Sequence, residues 1–221
     1  MKNIFLLIVI SVFFTPVYGE ENEMTEKQKL SYALGVFFAQ SVTQQDIDMD
    51  TDYFLEAVAD VLNKNQPKLS IEEIQAIFAR FQQQEQENRA EQAAANSQAG
   101  KAFLEANRTK EGVIELDNGL QYKILRPGTG ANPKPDGEVT VHYRGSLING
   151  EEFDSSYMRN QPAKLSVNRV IKGWQQALPM MKTGALWQLY IPANLAYGSA
   201  GQGVIGPDEA LVFEVELIEV H

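Results

Sequence analysis

The chain has 221 residues, with 29 acidic against 19 basic for a formal charge of -10, 44% hydrophobic residues and no cysteine. An acidic surface repels phosphate backbones, which argues against nucleic acid as a partner, and the absence of cysteine removes disulfides, thiolate metal sites and a cysteine nucleophile together. His142 and His221 are the only histidines, so a multi-histidine metal site or a histidine relay has little material to work with.

The start of the chain carries a compartment signal. Met1-Lys2 is a short basic beginning, residues 4–14 are apolar except for Ser11, and Pro16 breaks the run before Val17-Tyr18-Gly19. This order reads as a secretory signal over residues 1–19, the alternative being an uncleaved anchor. A membrane span needs about 20 apolar residues, and the run is shorter.

Helical periodicity begins at Thr25, which forms a capping-box pair with Gln28 ahead of Leu30, Leu34, Phe37, Phe38 and Val42. A polar stretch over residues 44–50 separates this helix from a second with Tyr53, Phe54, Ala57, Val58, Val61 and Leu62 on one face. Ser70 and Glu73 make another capping box before Ile71, Ile74, Ile77, Phe78 and Phe81. No proline interrupts the chain between Pro67 and Pro127, so the third helix is predicted to run from Ile71 to about Ala106. It would reach roughly 50 Å and project into solvent. The competing reading is that the polar, low-complexity residues 82–98 are a flexible linker. Two short helices cannot bury Phe37, Phe38, Tyr53 and Phe54 alone, and a second copy of the chain would cover them. A monomeric mini-bundle is the other option.

After Gly112 the periodicity changes to strands. Residues 113–116 and 120–125 flank the turn Asp117-Asn118-Gly119, a Gly- and Pro-rich loop covers 127–137, and residues 139–143 alternate before the hairpin signal Asn149-Gly150. Residues 211–217 alternate apolar with charged side chains, and residues 171–181 hold the only plausible helix of this half. The class is therefore α+β, with an antiparallel sheet folded around one short helix.

The aromatic residues of this half fall into ordered blocks. Val141-His142-Tyr143-x-Gly145-x-Leu147-x-x-Gly150-x-x-Phe153-Asp154-Ser155-Ser156 is followed by Val170-Ile171-x-Gly173-Trp174, Pro192-x-x-Leu195-Ala196-Tyr197-Gly198 and Gly206-Pro207-x-x-x-Leu211-x-Phe213. Taken singly, Tyr143, Phe153, Trp174 and Phe213 read as plain core, and Asp154 or Tyr197 as turn residues. Together the blocks resemble the FKBP family of peptidyl-prolyl cis/trans isomerases over roughly the last hundred residues. The signal, the segment Leu30-Ser31-Tyr32-Ala33-Leu34-Gly35 and the long charged helix resemble its bacterial subgroup related to the macrophage infectivity potentiator, Mip.

The resemblance implies a signal peptide at 1–19, a helical dimerisation domain at 20–69, a long connecting helix at 70–111 and an isomerase domain at 112–221. It further implies a five- or six-stranded antiparallel half-barrel wrapped on a short helix, with a substrate proline entering between them. Trp174 would form the pocket floor, with Tyr143, Phe153, Val170, Ile171, Tyr197 and Phe213 as walls and Asp154 and Arg159 at the polar rim. Tyr143, Phe153, Asp154, Ile171, Trp174, Tyr197 and Phe213 are thereby the expected catalytic residues. Arg159, Val170, Val204 and Ile205 are the expected substrate-binding residues. The Ile171 N–H and the Tyr197 hydroxyl would meet carbonyls of the peptide, and His142 should face the other way along its strand.

The family often has an aromatic where Ala163 stands and a histidine in the loop near Gln202. Both departures bear on substrate preference and macrolide affinity. No metal or organic cofactor is implied. The expected partners are proline-containing polypeptides, a second copy of the chain and macrolide inhibitors. The expected location follows export across the inner membrane: periplasmic or outer-membrane associated, extending to the cell surface. Two other functions compete: a periplasmic chaperone whose isomerase turnover is incidental, and an adaptor that keeps the fold without activity.

Overall fold

The computed structural model describes residues 23–43 and 47–221, so the signal-peptide reading of residues 1–19 lies outside the described residues. The chain divides after Ser70 into two compact units.

The first unit holds α1 (Glu26–Thr43) and α2 (Thr51–Leu62). The capping box that starts α1 is formed in both directions: the Thr25 N–H donates to Gln28 Oε1 at 2.7 Å and the Gln28 N–H to Thr25 Oγ1 at 3.3 Å. At α2 the carboxylate of Asp50 accepts from the N–H groups of Asp52 and Tyr53 at 3.0 and 3.1 Å, satisfying donors that the first turn leaves without intrahelical partners. Phe38 and Phe54 stack with centroids 5.9 Å apart. No residue of either helix is buried, and Phe37 and Leu62 are 74% and 77% exposed.

The second unit begins with α3 (Ile71–Asn107), 37 residues without a break. Glu72 and Glu73 stand in its first turn, where the helix dipole favours negative charge. Residues 82–98 are helix throughout rather than linker. The expectation that α3 projects into solvent fails for its C-terminal half. Asn96, Ser97, Gly100, Phe103, Leu104 and Asn107 form a partly or fully buried stripe at three- and four-residue spacing. At Gly100 the helix backbone comes close enough that a Cβ would lie 3.0 Å from the Cβ of Ala210. The roughly 1 kcal/mol that glycine costs inside a helix is thus offset by close packing.

The sheet comprises β1 (Val113–Glu115), β2 (Gln121–Arg126), β3 (Glu138–Leu147), β4 (Glu152–Ser155), β5 (Ala163–Ser166), β6 (Leu186–Ile191) and β7 (Leu211–Val220). The order across it is β1-β2-β6-β7-β3-β4, with β5 also paired to β3, and every pairing is antiparallel. The strand alternation is physical: Leu211, Phe213, Val215 and Leu217 of β7 turn inward, while Val212, Glu214 and Glu216 between them are only partly buried. Each fully buried aliphatic of such a face contributes about 1.5–3 kcal/mol of burial free energy.

Against the inner face lies α4 (Lys172–Ala177), continued by a 3-10 turn over Leu178–Met180. Its contact with β6 requires a glycine, since a Cβ on Gly173 would stand 2.6 Å from Cγ2 of Ile191. That close approach seats Trp174, Ala177 and Leu178 in the core with Val139, Val141, Leu189, Ile191 and Val215.

Candidate functional site

Between α4 and the sheet opens a cavity of about 330 Å³. Its lining includes Tyr143 from β3, Phe153 and Asp154 from β4, Val170 and Ile171 before α4, Trp174 on α4, Tyr197 after β6 and Phe213 from β7. Eight residues expected from separate stretches of sequence thus meet at one opening. Leu165, Arg169 and Gln202 complete the wall. Leu165 and Arg169 carry no signal of their own in the sequence, because an apolar residue on a short strand and an arginine in a turn have many ordinary explanations.

The floor is a set of rings at right angles. Trp174 meets Tyr143 at 5.4 Å and 86°, and Phe213 at 5.3 Å and 82°, while Phe213 meets Phe153 at 5.6 Å and 82°. Edge-to-face arrangements of this kind are worth about 0.5–1.5 kcal/mol each beyond area burial, so the rings hold one another in place. Gly145 makes room for them: a Cβ there would fall 2.6 Å from Phe213 and 2.8 Å from Phe153. Trp174 is 3% exposed, and its buried indole Nε1 has no hydrogen-bond partner.

The rim is polar and charged. Tyr143 donates its hydroxyl to Asp154 Oδ2 at 2.5 Å, and Arg159 donates to the Tyr143 hydroxyl oxygen at 2.7 Å. Arg159 also pairs with the other oxygen of Asp154, and its guanidinium lies 5.6 Å from the centroid of the Tyr143 ring. Burial pushes the Asp154 carboxyl up, but the hydrogen bonds from Tyr143 and Arg159 and the arginine's charge together hold it below the usual carboxylate value. The Tyr197 hydroxyl is pushed up by burial and by the charge of Asp154, so it stays a protonated donor at neutral pH.

Behind the rim, Ser156 fixes the backbone that carries Tyr143. The Tyr143 N–H donates to Ser156 Oγ at 2.8 Å and the Ser156 N–H donates to the Tyr143 carbonyl at 3.0 Å. His142 sits 2.9 Å from Ser156 Oγ through Nδ1 and stacks on Tyr157 at 4.5 Å, away from the cavity lining.

Arg159 reaches the cavity through Asp154 and Tyr143 rather than as a lining residue. Val204 and Ile205 are not in the lining either. Val204 is 74% exposed, and Ile205 is 6% exposed and packed into the core. Ala163 faces Val141 across the β3–β5 ladder. Gln202 stands in the wall. Among the described residues no group of three or more His, Asp or Glu side chains is placed to hold a metal ion.

An antiparallel half-barrel closed on a short helix, with a cavity of aromatic floor and charged rim between them, defines the class of this domain. Comparison with known proteins names the family. Residues 130–218 match the domain family described as FKBP-type peptidyl-prolyl cis-trans isomerase, and residues 27–124 match the domain described as amino terminal to it. The chain is 45% identical over 201 residues to the peptidyl-prolyl cis-trans isomerase Mip of Coxiella burnetii, covering 89% of this chain and 87% of that protein. It is 40% identical over 202 residues to the Outer membrane protein MIP of Legionella longbeachae, covering 89% of this chain and 86% of that protein. The crystal structure of FkpA from Escherichia coli superposes with a TM-score of 0.66 at 37% identity, covering 89% of this chain and 97% of that one. The chain belongs to the FKBP-type peptidyl-prolyl cis-trans isomerases.

Proposed function

We propose that the protein accelerates cis/trans isomerisation of X-Pro bonds by seating the proline ring on Trp174. The observation that carries this reading is the perpendicular ring set of Tyr143, Trp174, Phe213 and Phe153 beneath a charged rim in a cavity of about 330 Å³. Rotation about a peptide bond faces a barrier of about 18–20 kcal/mol because the planar amide is conjugated, and X-Pro bonds exchange unaided in tens to hundreds of seconds. The twisted amide has lost conjugation and charge separation. An apolar floor therefore disfavours the planar, more dipolar ground state relative to the twisted one.

In this mechanism no proton is transferred and no covalent bond forms. The Tyr197 hydroxyl and the Ile171 N–H each donate to a carbonyl of the peptide, fixing the chain on either side of the rotating bond. Asp154, kept ionised and in position by Tyr143 and Arg159, marks the polar edge of the site. Val170 and Phe153 close the sides around the ring. Arg159 acts on substrate through Asp154, while Val204 lies on the exposed loop beside the opening, where it meets residues flanking the proline.

Proline-containing polypeptides of the cell envelope are the proposed substrates, reached after export directed by residues 1–19. The kinship with an outer membrane protein supports an envelope location. The protein acts as a homodimer through its first helices. In support, Leu30, Leu34, Phe37, Phe38, Tyr53, Leu55, Val61 and Leu62 all stand exposed, more apolar surface than a small helical unit keeps in water by itself. The relatives named as isomerases favour an enzyme over a chaperone with incidental turnover.

Exchange NMR on a short X-Pro peptide tests the proposal. Catalytic amounts of the full chain should bring cis and trans proline resonances into exchange, and a Trp174→Leu chain that remains folded should not. Exchange unchanged from the peptide alone with the folded wild-type chain would overturn it.

A further inference from the structure

The loop between β6 and β7 carries Tyr197 and Gln202 into the cavity wall and folds back on itself before β7. Its neck is closed by the Asp208 N–H donating to the Gly198 carbonyl at 2.9 Å. Its tip is closed by reciprocal bonds of 2.9 Å between the backbones of Gln202 and Ile205. These bonds are all local, so between its core anchors Leu195 and Ile205 the backbone of this 19-residue loop depends on what holds it from outside.

The outside of the loop is held by α3. Arg89 donates through Nη2 to the carbonyl of Ala200 at 2.5 Å and to that of Ser199 at 3.3 Å. Seven residues along the same helix face, Asn96 donates through Nδ2 to the carbonyl of Pro207 at 2.8 Å. The two contacts fall on opposite sides of the neck, one before the tip and one after it. Between them the helix comes so close that a Cβ on Gly206 would stand 3.1 Å from Asn96 Nδ2 and 3.1 Å from Gln92 Nε2. Four residues further on, Gly100 packs on Ala210 at the foot of the loop. Arg89, Gln92, Asn96 and Gly100 thus form one continuous splint, and none of them lines the cavity.

We propose that this face of α3 is a positioning element for the substrate site, with Arg89 and Asn96 as positioning residues that act through Tyr197 and Gln202. The proposal rests on the isomerase reading of the cavity. Its physical content is that backbone carbonyls of a surface loop otherwise satisfied by water are fixed by a cationic donor on a rigid helix, which lowers the number of loop conformations competing with the one that receives substrate. The helix linking the two halves of the chain is thereby part of the site's own scaffold. Loss of the splint should weaken substrate binding more than it slows rotation at the bound amide, because the ring floor on α4, β3, β4 and β7 is untouched.

The test compares the full-length wild-type chain with Arg89→Ala, Arg89→Lys, Asn96→Ala and Arg108→Ala. Arg108 follows directly after the last residue of that helix and pairs with Glu105 in its final turn, away from the loop. For each chain, kcat and KM on a short X-Pro peptide are measured separately, with hydrogen exchange at the Gln202 and Ile205 amides. Arg89→Ala is expected to raise KM about three- to tenfold with kcat within about twofold, and to speed exchange at both amides by a similar factor, as loss of the charge-assisted contact to the Ala200 and Ser199 carbonyls allows. Asn96→Ala should do the same more weakly, Arg89→Lys should recover part of the loss, and Arg108→Ala should match wild type. An unchanged KM together with unchanged loop exchange in Arg89→Ala would overturn the inference while leaving the isomerase reading intact. Wild-type turnover absent altogether would overturn that reading instead, and the exchange comparison would still decide whether Arg89 holds the loop.

Discussion

Asp154 pairs with Gly145 across the β3–β4 ladder, two residues from Tyr143, so the carboxylate and the phenol leave the sheet on one face and meet at 2.5 Å. Because Gly145 has no side chain, nothing stands between them and the rings below. Charge and aromatic floor are brought together by register alone.

The network should fail at low pH. The carboxyl of Asp154 has a folded pKa below its value in the unfolded chain, which is about 3.9, so ionisation contributes stability above that value and the contribution is lost as pH falls through the lower, folded one. Urea midpoints of wild type and Asp154→Asn measured from pH 6 to pH 2.5 should differ above pH ~4 and converge below it. A difference that persists unchanged at the acid end would contradict the role given to the charge.

Gly145→Ala tests how tightly the floor is packed. The new methyl group would overlap Phe213 and Phe153, and overpacking of this kind costs typically about 1–3 kcal/mol. Both the denaturation midpoint and X-Pro turnover should drop. Full activity in this variant would show that the rings shift freely and that their observed angles do not matter.

At the end of α3, the buried Asn107 donates to Gln121 Oε1 at 2.9 Å while Gln121 Nε2 donates to the Leu104 carbonyl at 2.8 Å. Asn107→Ala leaves a buried acceptor unpaired, with an expected cost of about 1–3 kcal/mol. Chemical denaturation should report this as a lower midpoint with unchanged slope. A loss within error of zero would mean that water replaces the amide.

Self-association is tested on α1. Phe37→Glu places a charge on the exposed apolar face, and a dimer buried there should dissociate. Sedimentation should give a dimer for wild type and a monomer for the variant, while turnover of a short peptide persists. A wild-type monomer at micromolar concentration would remove the dimer from the account.

Much of this architecture was legible from spacing. The capping box at Thr25, the end of α3 within one residue of Ala106 and the strands around Asn149-Gly150 all follow from local rules that the structure keeps. The pocket residues were legible only jointly, since each alone passes for core. What stayed hidden was the docked half of α3. Its inward stripe of Asn96, Ser97, Gly100, Phe103, Leu104 and Asn107 is mostly small or polar, so hydropathy scores it as solvent-facing although close backbone packing buries it. Leu165 and Arg169 were hidden for a related reason, being placed by the β3–β5 pairing and the turn after it rather than by a motif.

The most direct test of the central claim is protease-coupled turnover of a short X-Pro peptide by the full-length chain beside Asp154→Val and Tyr197→Phe. The account predicts a clear rate above the uncatalysed exchange for wild type, and about tenfold or greater losses in kcat/KM for variants that keep their fold, as removal of the polar edge or of a donor to the bound peptide requires. Equal rates for wild type and both folded variants, or no acceleration by the wild type, would contradict it.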